Sequence, residues 1–277
     1  MFRIIKVLNH NGIIATDKEA EKQYILLGKG IGFGKKVNER IIPSDDCHIY
    51  HIQKENSKGS SKEIIDNIEP KFLEIANNII MESEKEFGEI DRNILCPLAD
   101  HIAFAVKRIK NNEEILNPLN SEIKALFADE YKVAYKAKYM IEESEKIKLS
   151  EDEIGYIALH IHSSLGSDNV SQAMKMASLV KECISIIENH VGRKVDVNSL
   201  GYNRLVSHVK YMIARTLSGE TIQLDMNEYI QEKFSKSFIL AKYVCSKIGL
   251  ELNKELKDVE IGYLAMHIER VFSEELL

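Results

Sequence analysis

At 277 residues, with 44% hydrophobic and 29% charged side chains, the chain has the make-up of an ordinary globular protein of two or three domains and not of a disordered or fibrous one. The apolar run before Asn9 is too short for a secretory signal and no segment has the length and character of a membrane span, so a cytoplasmic protein without membrane insertion is expected. The net charge of −6 is unevenly spread, ten basic against seven acidic side chains in residues 1–58 and 27 against 36 in the remainder, so a polyanionic partner would meet the N-terminal piece.

That piece reads as β. Residues 2–8, 12–16, 23–27 and 47–52 are short segments rich in β-branched and aromatic side chains, parted by the turn-prone Asn9-His10-Asn11-Gly12 and a charged stretch at 17–22. Four short strands predict an antiparallel meander. Such a sheet is too small to close a deep core, so pairing with a second copy, a homodimer, is expected. Between the third and fourth strands lies Gly28-Lys29-Gly30-Ile31-Gly32-Phe33-Gly34-Lys35-Lys36, where four glycines, three lysines and one phenyl ring suit close backbone approach to a nucleic acid. The alternating glycines, G-x-G-x-G-x-G, are not followed by the helix that a dinucleotide site needs. From composition alone, a bare glycine turn with solvated lysines accounts for it equally well.

Residues 56–62 (NSKGSSK) carry no apolar side chain and read as a linker; a second break falls near 165–169. The four cysteines, Cys47, Cys96, Cys183 and Cys245, have no ligand spacing, which favours free thiols over a disulfide frame or a zinc site.

The remainder is helical and duplicated. Leu98-x-x-His101 with Arg108 recurs as Leu205-x-x-His208 with Arg215, and EIGYIALHI from Glu153 recurs as EIGYLAMHI from Glu260, at a constant offset of 107 positions. His101 thus maps onto His208 and His160 onto His267. Pro97 suits the opening of a helix that carries His101, and Ser150-x-x-Glu153 is a capping box for the helix that carries His160. Ile154, Ile157, Ala158, Ile161 and Leu165 form the predicted buried stripe, leaving Glu153, Tyr156 and His160 on a semi-polar flank. Four titratable side chains held in register require a chemical reason, whereas His10, His48, His51, His162 and His190 are read as structural. With Arg108 and Tyr156 in one repeat and Arg215 and Tyr263 in the other, a shallow site for a phosphoryl group is one candidate. A metal-dependent phosphohydrolase is another, although there is no HExxH motif, no nucleophile elbow and no dense acidic cluster. A DNA-binding regulator would need a helix-turn-helix that the β-like head lacks.

The KVLNHN turn, the glycine loop ending in F-x-K-K, and two modules each with a first histidine in (D/S)H and a second in IGY-x-A-x-HI resemble, over essentially the whole chain, the BglG/SacY family of transcriptional antiterminators. The resemblance implies an α+β, mainly α protein: a dimeric antiparallel-sheet co-antiterminator RNA-binding domain (1–56), a linker (57–65) and two all-α PTS regulation domains (66–169 and 170–277). It implies RNA contacts at Lys6, Asn9, Asn11, Gly28, Lys29, Gly30 and Phe33, with lysine at 29 where arginine is common. It further implies phosphorylation at His101, His160, His208 and His267 by the sugar phosphotransferase system, a sugar-specific enzyme II acting on the first module and HPr on the second. Such a protein is a switch that holds a leader-RNA hairpin against terminator formation; it is not an enzyme, needs no cofactor and does not bind DNA.

Overall fold

The computed structural model describes residues 1–17, 22–52, 65, 67–113, 115–166 and 168–273. The expected linker, apart from Ile65, and most of the charged stretch after the second strand lie outside them. The chain divides into two compact units, residues 1–117 with 129–170, and residues 118–128 with 171–277.

The first unit begins with β1 (Phe2–Asn9), β2 (Gly12–Asp17), β3 (Gln23–Leu27), β4 (Arg40–Ile41) and β5 (His48–His51). All neighbouring pairs are antiparallel, in the order β4-β1-β2-β3-β5. Four of the strands match the expected meander. The two-residue β4 was not foreseen, since so short an edge strand carries no period of its own. Ile4, Ile13, Ala15 and Leu26 form the core on one face, with Phe2, Val7, Tyr24, Ile31, Ile41 and Cys47 packed against it. Full burial of each large aliphatic side chain contributes about 1.5–3 kcal/mol.

Ile14, Ile25 and Tyr50, paired in register across β2, β3 and β5, are buried too. Cover for that face comes from the same chain: helix α1 (Pro70–Phe87) follows, and the Tyr50 hydroxyl donates to Asn77 Oδ1 at 2.5 Å.

The same unit continues with α2 (Leu95–Lys110), preceded by a short 3-10 turn. Helix α2 starts two residues before Pro97, so the proline sits in the first turn, where its missing N–H costs nothing, and not at the opening position. Next in sequence come α3 (Asn120–Leu126), α4 (Ala128–Glu145) and α5 (Glu151–His162). Glu145 on α4 accepts from Lys71 on α1 and Lys110 on α2, tying three helices together. The N-cap Ser150 accepts from the Glu153 amide at 3.3 Å, half of the expected capping box; the other half is not made, because the Glu153 carboxylate is engaged elsewhere. Ile154, Ile157, Ala158 and Ile161 form the buried stripe as expected, but Leu165 is 36% exposed, since the helix stops at His162 and the period lapses.

The second unit holds α6 (Val170–Val191, from residue 171), α7 (Leu200–Ser218), α8 (Asn227–Lys233), α9 (Ser235–Leu252) and α10 (Val259–Ser273). Ser199 caps α7 through the Tyr202 amide, and Gly219, in the left-handed region at φ 79°, closes its far end. At the offset of 107 positions, α3 and α4 map end for end onto α8 and α9. Residues 118–128, which include α3, belong to the second unit, and residue 170 to the first. There Ile123, Leu126 and Phe127 are buried, the Tyr202 hydroxyl donates to Glu122, and Lys210 donates to the Leu126 carbonyl while lying over the Phe127 ring. The second unit thus contains both copies of the short helix.

Candidate functional site

On the head, a β-bulge near the end of β1 sets Asn9 opposite Gly12 at the turn. Asn9 Oδ1 accepts the Asn11 amide at 2.9 Å, an Asx turn. The glycine loop docks on this turn through three hydrogen bonds: Gly28 N–H to the Asn11 carbonyl, Gly32 N–H to the His10 carbonyl, and Gly30 N–H to Asn11 Oδ1. Gly30 takes φ +71°, which favours glycine. A Cβ on Gly32 would lie 2.1 Å from the Asn9 carbonyl oxygen, so no side chain fits there. Six of the seven residues expected at the RNA surface, Asn9, Asn11, Gly28, Lys29, Gly30 and Phe33, are thereby brought into one turn-plus-loop plate; Lys6 lies exposed on β1 beside it. Phe33 is 69% exposed, with His10 edge-on at 5.4 Å between ring centroids. Sequence reasoning passed over Gly32, whose signal is only a glycine among glycines, and placed His10 among the structural histidines although its ring lies against Phe33.

In each unit a helix pair brings two histidines together. His101 on α2 and His160 on α5 have ring centroids 5.2 Å apart, with Tyr156 5.8 Å from His101. His208 on α7 and His267 on α10 stack at 4.4 Å, with Tyr263 6.4 Å from His208 and nearly parallel to it. The two arginines are engaged: Arg108 Nη2 donates to Glu153 at 2.7 Å, and Arg215 makes a bidentate pair with Glu260 at 2.7 and 2.8 Å. Both glutamates are almost wholly buried. In this state the arginines anchor carboxylates; neither stands open for an incoming phosphate.

The two sites differ in the second carboxylate oxygen. Glu153 Oε2 faces His101 Nε2 at 3.3 Å, whereas Glu260 spends both oxygens on Arg215 and sets none beside His208; the buried Nε2 of His101 and that of His208 are both without a hydrogen-bond partner. Burial pushes the Glu153 carboxyl up, but His101 and Arg108 outweigh it and hold it below its ordinary range. Burial, then the charges of His267 and Arg215, push His208 down to about 3. Burial, with Arg270 and Arg204, also lowers His267. Arg204 lines a shallow pocket of about 420 Å³ with Leu200, Asn203, Ser207, Tyr211 and the two histidines. Neither Arg204 nor Arg270 was legible as a site residue, because Pro97 and Ser163 stand at the matching positions of the first repeat.

A pH dependence follows. His208 is neutral in the fold and titrates near 6.5 when unfolded, so below 6.5 the unfolded state binds more protons. Its contribution is intact above that pH and is lost as pH falls toward about 3, at about 1.4 kcal/mol per unit, or about 2 kcal/mol by pH 5. Urea unfolding at pH 7 and pH 5 should show this loss, and His208→Gln should reduce it.

Among the described residues no three His, Cys, Asp or Glu side chains converge to hold a metal ion, and no helix is long and apolar enough to cross a membrane. A sheet head presenting a glycine loop beside an asparagine turn, followed by two helical modules with a repeated histidine pair, defines a regulator with a nucleic-acid-binding head and duplicated switch modules. Residues 2–59 match the CAT RNA binding domain, and residues 77–164 and 181–271 each match the PRD domain. The chain belongs to this CAT and PRD family, the BglG/SacY antiterminators. It is 31% identical over 272 residues to the GlcA/glcB genes antiterminator of Staphylococcus carnosus, covering 96% of this chain and 94% of that one. It is 27% identical over 276 residues to the transcription antiterminator LicT of Bacillus subtilis, covering 98% and 99%. The crystal structure of GlcT CAT-PRDI matches 59% of this chain and 98% of its own length, with a TM-score of 0.51 and 36% identity.

Proposed function

We propose that the chain is a transcriptional antiterminator whose head (1–56) holds a hairpin of a leader RNA against terminator formation and whose two modules (66–169 and 170–277) are set by phosphorylation of histidine. The observation that carries this reading is the repeated constellation of two histidines, a tyrosine and an arginine-glutamate pair, built once in each module of a chain whose head carries two asparagine amides and an exposed phenyl ring. Asparagine amides can read base edges, Lys6 and Lys29 can meet phosphates, and Phe33 can stack on an unpaired base.

At the modules the chain is an acceptor. A neutral imidazole nitrogen attacks the phosphoryl group carried on a donor histidine; one N–P bond forms as the other breaks, and the acceptor ring gives up the proton on its second nitrogen as the departing donor ring takes one, so that both rings end neutral. His208, held neutral by burial, is in the form this step requires. Arg204 and Arg270, close enough to depress His267, supply positive charge for the dianion that results. HPr is the donor to His208 and His267, and a sugar-specific enzyme II acts on His101 and His160; Tyr156, Tyr263, Arg108 and Arg215 support the phosphoryl group once the glutamate pairs rearrange. Modification adds close to two negative charges beside packed helices, enough to repack an interface between modules or between the protomers of a homodimer.

Labelled phosphoenolpyruvate, enzyme I and HPr should place label on the intact chain, mapped to His208 or His267 under non-acidic conditions, and a His208→Ala/His267→Ala variant should lose at least nine-tenths of it. Absence of label on a folded chain would end the phosphotransferase reading.

A further inference from the structure

The acceptor ends of Asn9 and Asn11 are spent inside the head, on the Asn11 and Gly30 amides, so each side chain turns its Nδ2 donor outward. Both donors are taken by one residue of the first helical module. Asn9 Nδ2 donates to Glu74 Oε1 at 2.5 Å and Asn11 Nδ2 to Glu74 Oε2 at 3.0 Å. Glu74 lies on α1, more than sixty positions along the chain, and bridges the two amides with its two oxygens. Three residues further, on the same face of α1, Asn77 accepts from the buried Tyr50 hydroxyl, so the head is held on this helix at two points.

A carboxylate resembles a phosphate, and the acceptor edge of a base, in presenting paired oxygen or nitrogen acceptors to such a donor pair. We propose that Glu74 is an intramolecular competitor for RNA: it occupies the two amides that would address the hairpin, so this conformation is a self-masked state and binding requires α1 to release the turn. The proposal rests on the reading of Asn9 and Asn11 as RNA contacts. Every hairpin contact through these amides competes with a group held at high local concentration, and a mask closed in 99 of 100 molecules lowers apparent affinity about 100-fold. α1 packs along α2, the helix that carries His101, so the element bearing the mask touches an element of the proposed switch.

The test is hairpin binding by the full-length chain, using as probe the leader-RNA hairpin upstream of the genes it regulates. Wild type is compared with Glu74→Ala, with Glu74→Gln, which keeps the shape and one acceptor, and with Glu86→Gln, which removes the same charge from an exposed position on the same helix. Glu74→Ala should bind about ten- to 100-fold more tightly, Glu74→Gln should gain less, and Glu86→Gln should match wild type. Hydrogen exchange without RNA should show residues 9–12 less protected in Glu74→Ala. Affinity unchanged in Glu74→Ala, or raised equally by Glu86→Gln, overturns the mask and leaves the RNA reading standing. Failure of both wild type and Glu74→Ala to bind, with folded heads, overturns the RNA reading and the mask with it.

Discussion

Gly32→Ala is expected to weaken hairpin binding by about 100-fold while leaving the helical modules folded. The added methyl would stand 2.1 Å from the Asn9 carbonyl oxygen and 3.2 Å from that of Gly12, both backbone atoms, so relief requires the glycine loop to lift from the turn. Lifting breaks the bond from Gly32 to the His10 carbonyl and strains those from Gly28 and Gly30 to Asn11, which hold Phe33 and Lys29 in register with Asn9 and Asn11. Three hydrogen bonds at about 1 kcal/mol each account for a loss of that size. Gly34→Ala is the comparison: its position at φ +69° faces open space, so only backbone strain of about 1–2 kcal/mol is incurred and the loop can stay seated. A titration in which the two variants bound RNA equally well would contradict this account of the loop.

The second large effect is on stability. Glu260→Ala removes a nearly fully buried carboxylate from a bidentate pair and leaves Arg215, whose side chain is 21% exposed, without its counter-charge. Breaking a fully buried pair costs about 3–5 kcal/mol, and the partial exposure of Arg215 brings the expected loss to about 2–4 kcal/mol. For a unit of this size the melting temperature should fall by about 5–12 °C. Glu260→Gln, which keeps the shape and one acceptor, should recover part of it. Calorimetry on the full chain should place the change in one transition only, since the pair lies wholly within the second unit. Glu153→Ala should act likewise on the first unit while also removing the carboxylate beside His101.

Much of the architecture was open to reading from local pattern. Alternation and turn residues located β1, β2, β3 and β5, and the offset of 107 positions paired His101 with His208 and His160 with His267 before any coordinates. The buried stripe of α5 followed from helical spacing as far as Ile161. Where local reading failed, the cause was a non-local partner. Ser150 and Glu153 have the spacing of a capping box, yet the carboxylate bonds Arg108, 45 positions away, because a charged, partly buried guanidinium satisfies it better than a neutral helix N–H does. The open arginines expected beside the histidines were, for the same reason, closed onto Glu153 and Glu260.

The sequence by itself determined the things that depend on neighbours three, four or two residues apart: which segments are strand or helix, which faces are apolar, and that two histidine-bearing modules follow a basic head. Tertiary structure alone decided which charged and amide groups meet. It committed Arg215 wholly to Glu260 and left His208 without a carboxylate, set α3 in the second unit, and laid Glu74 across Asn9 and Asn11. The reason is physical: periodicity fixes the direction in which a side chain leaves its own helix or strand, but a hydrogen bond is made with whichever group packing brings within 3 Å, and a partner 45 or 65 positions away leaves no mark on the local pattern.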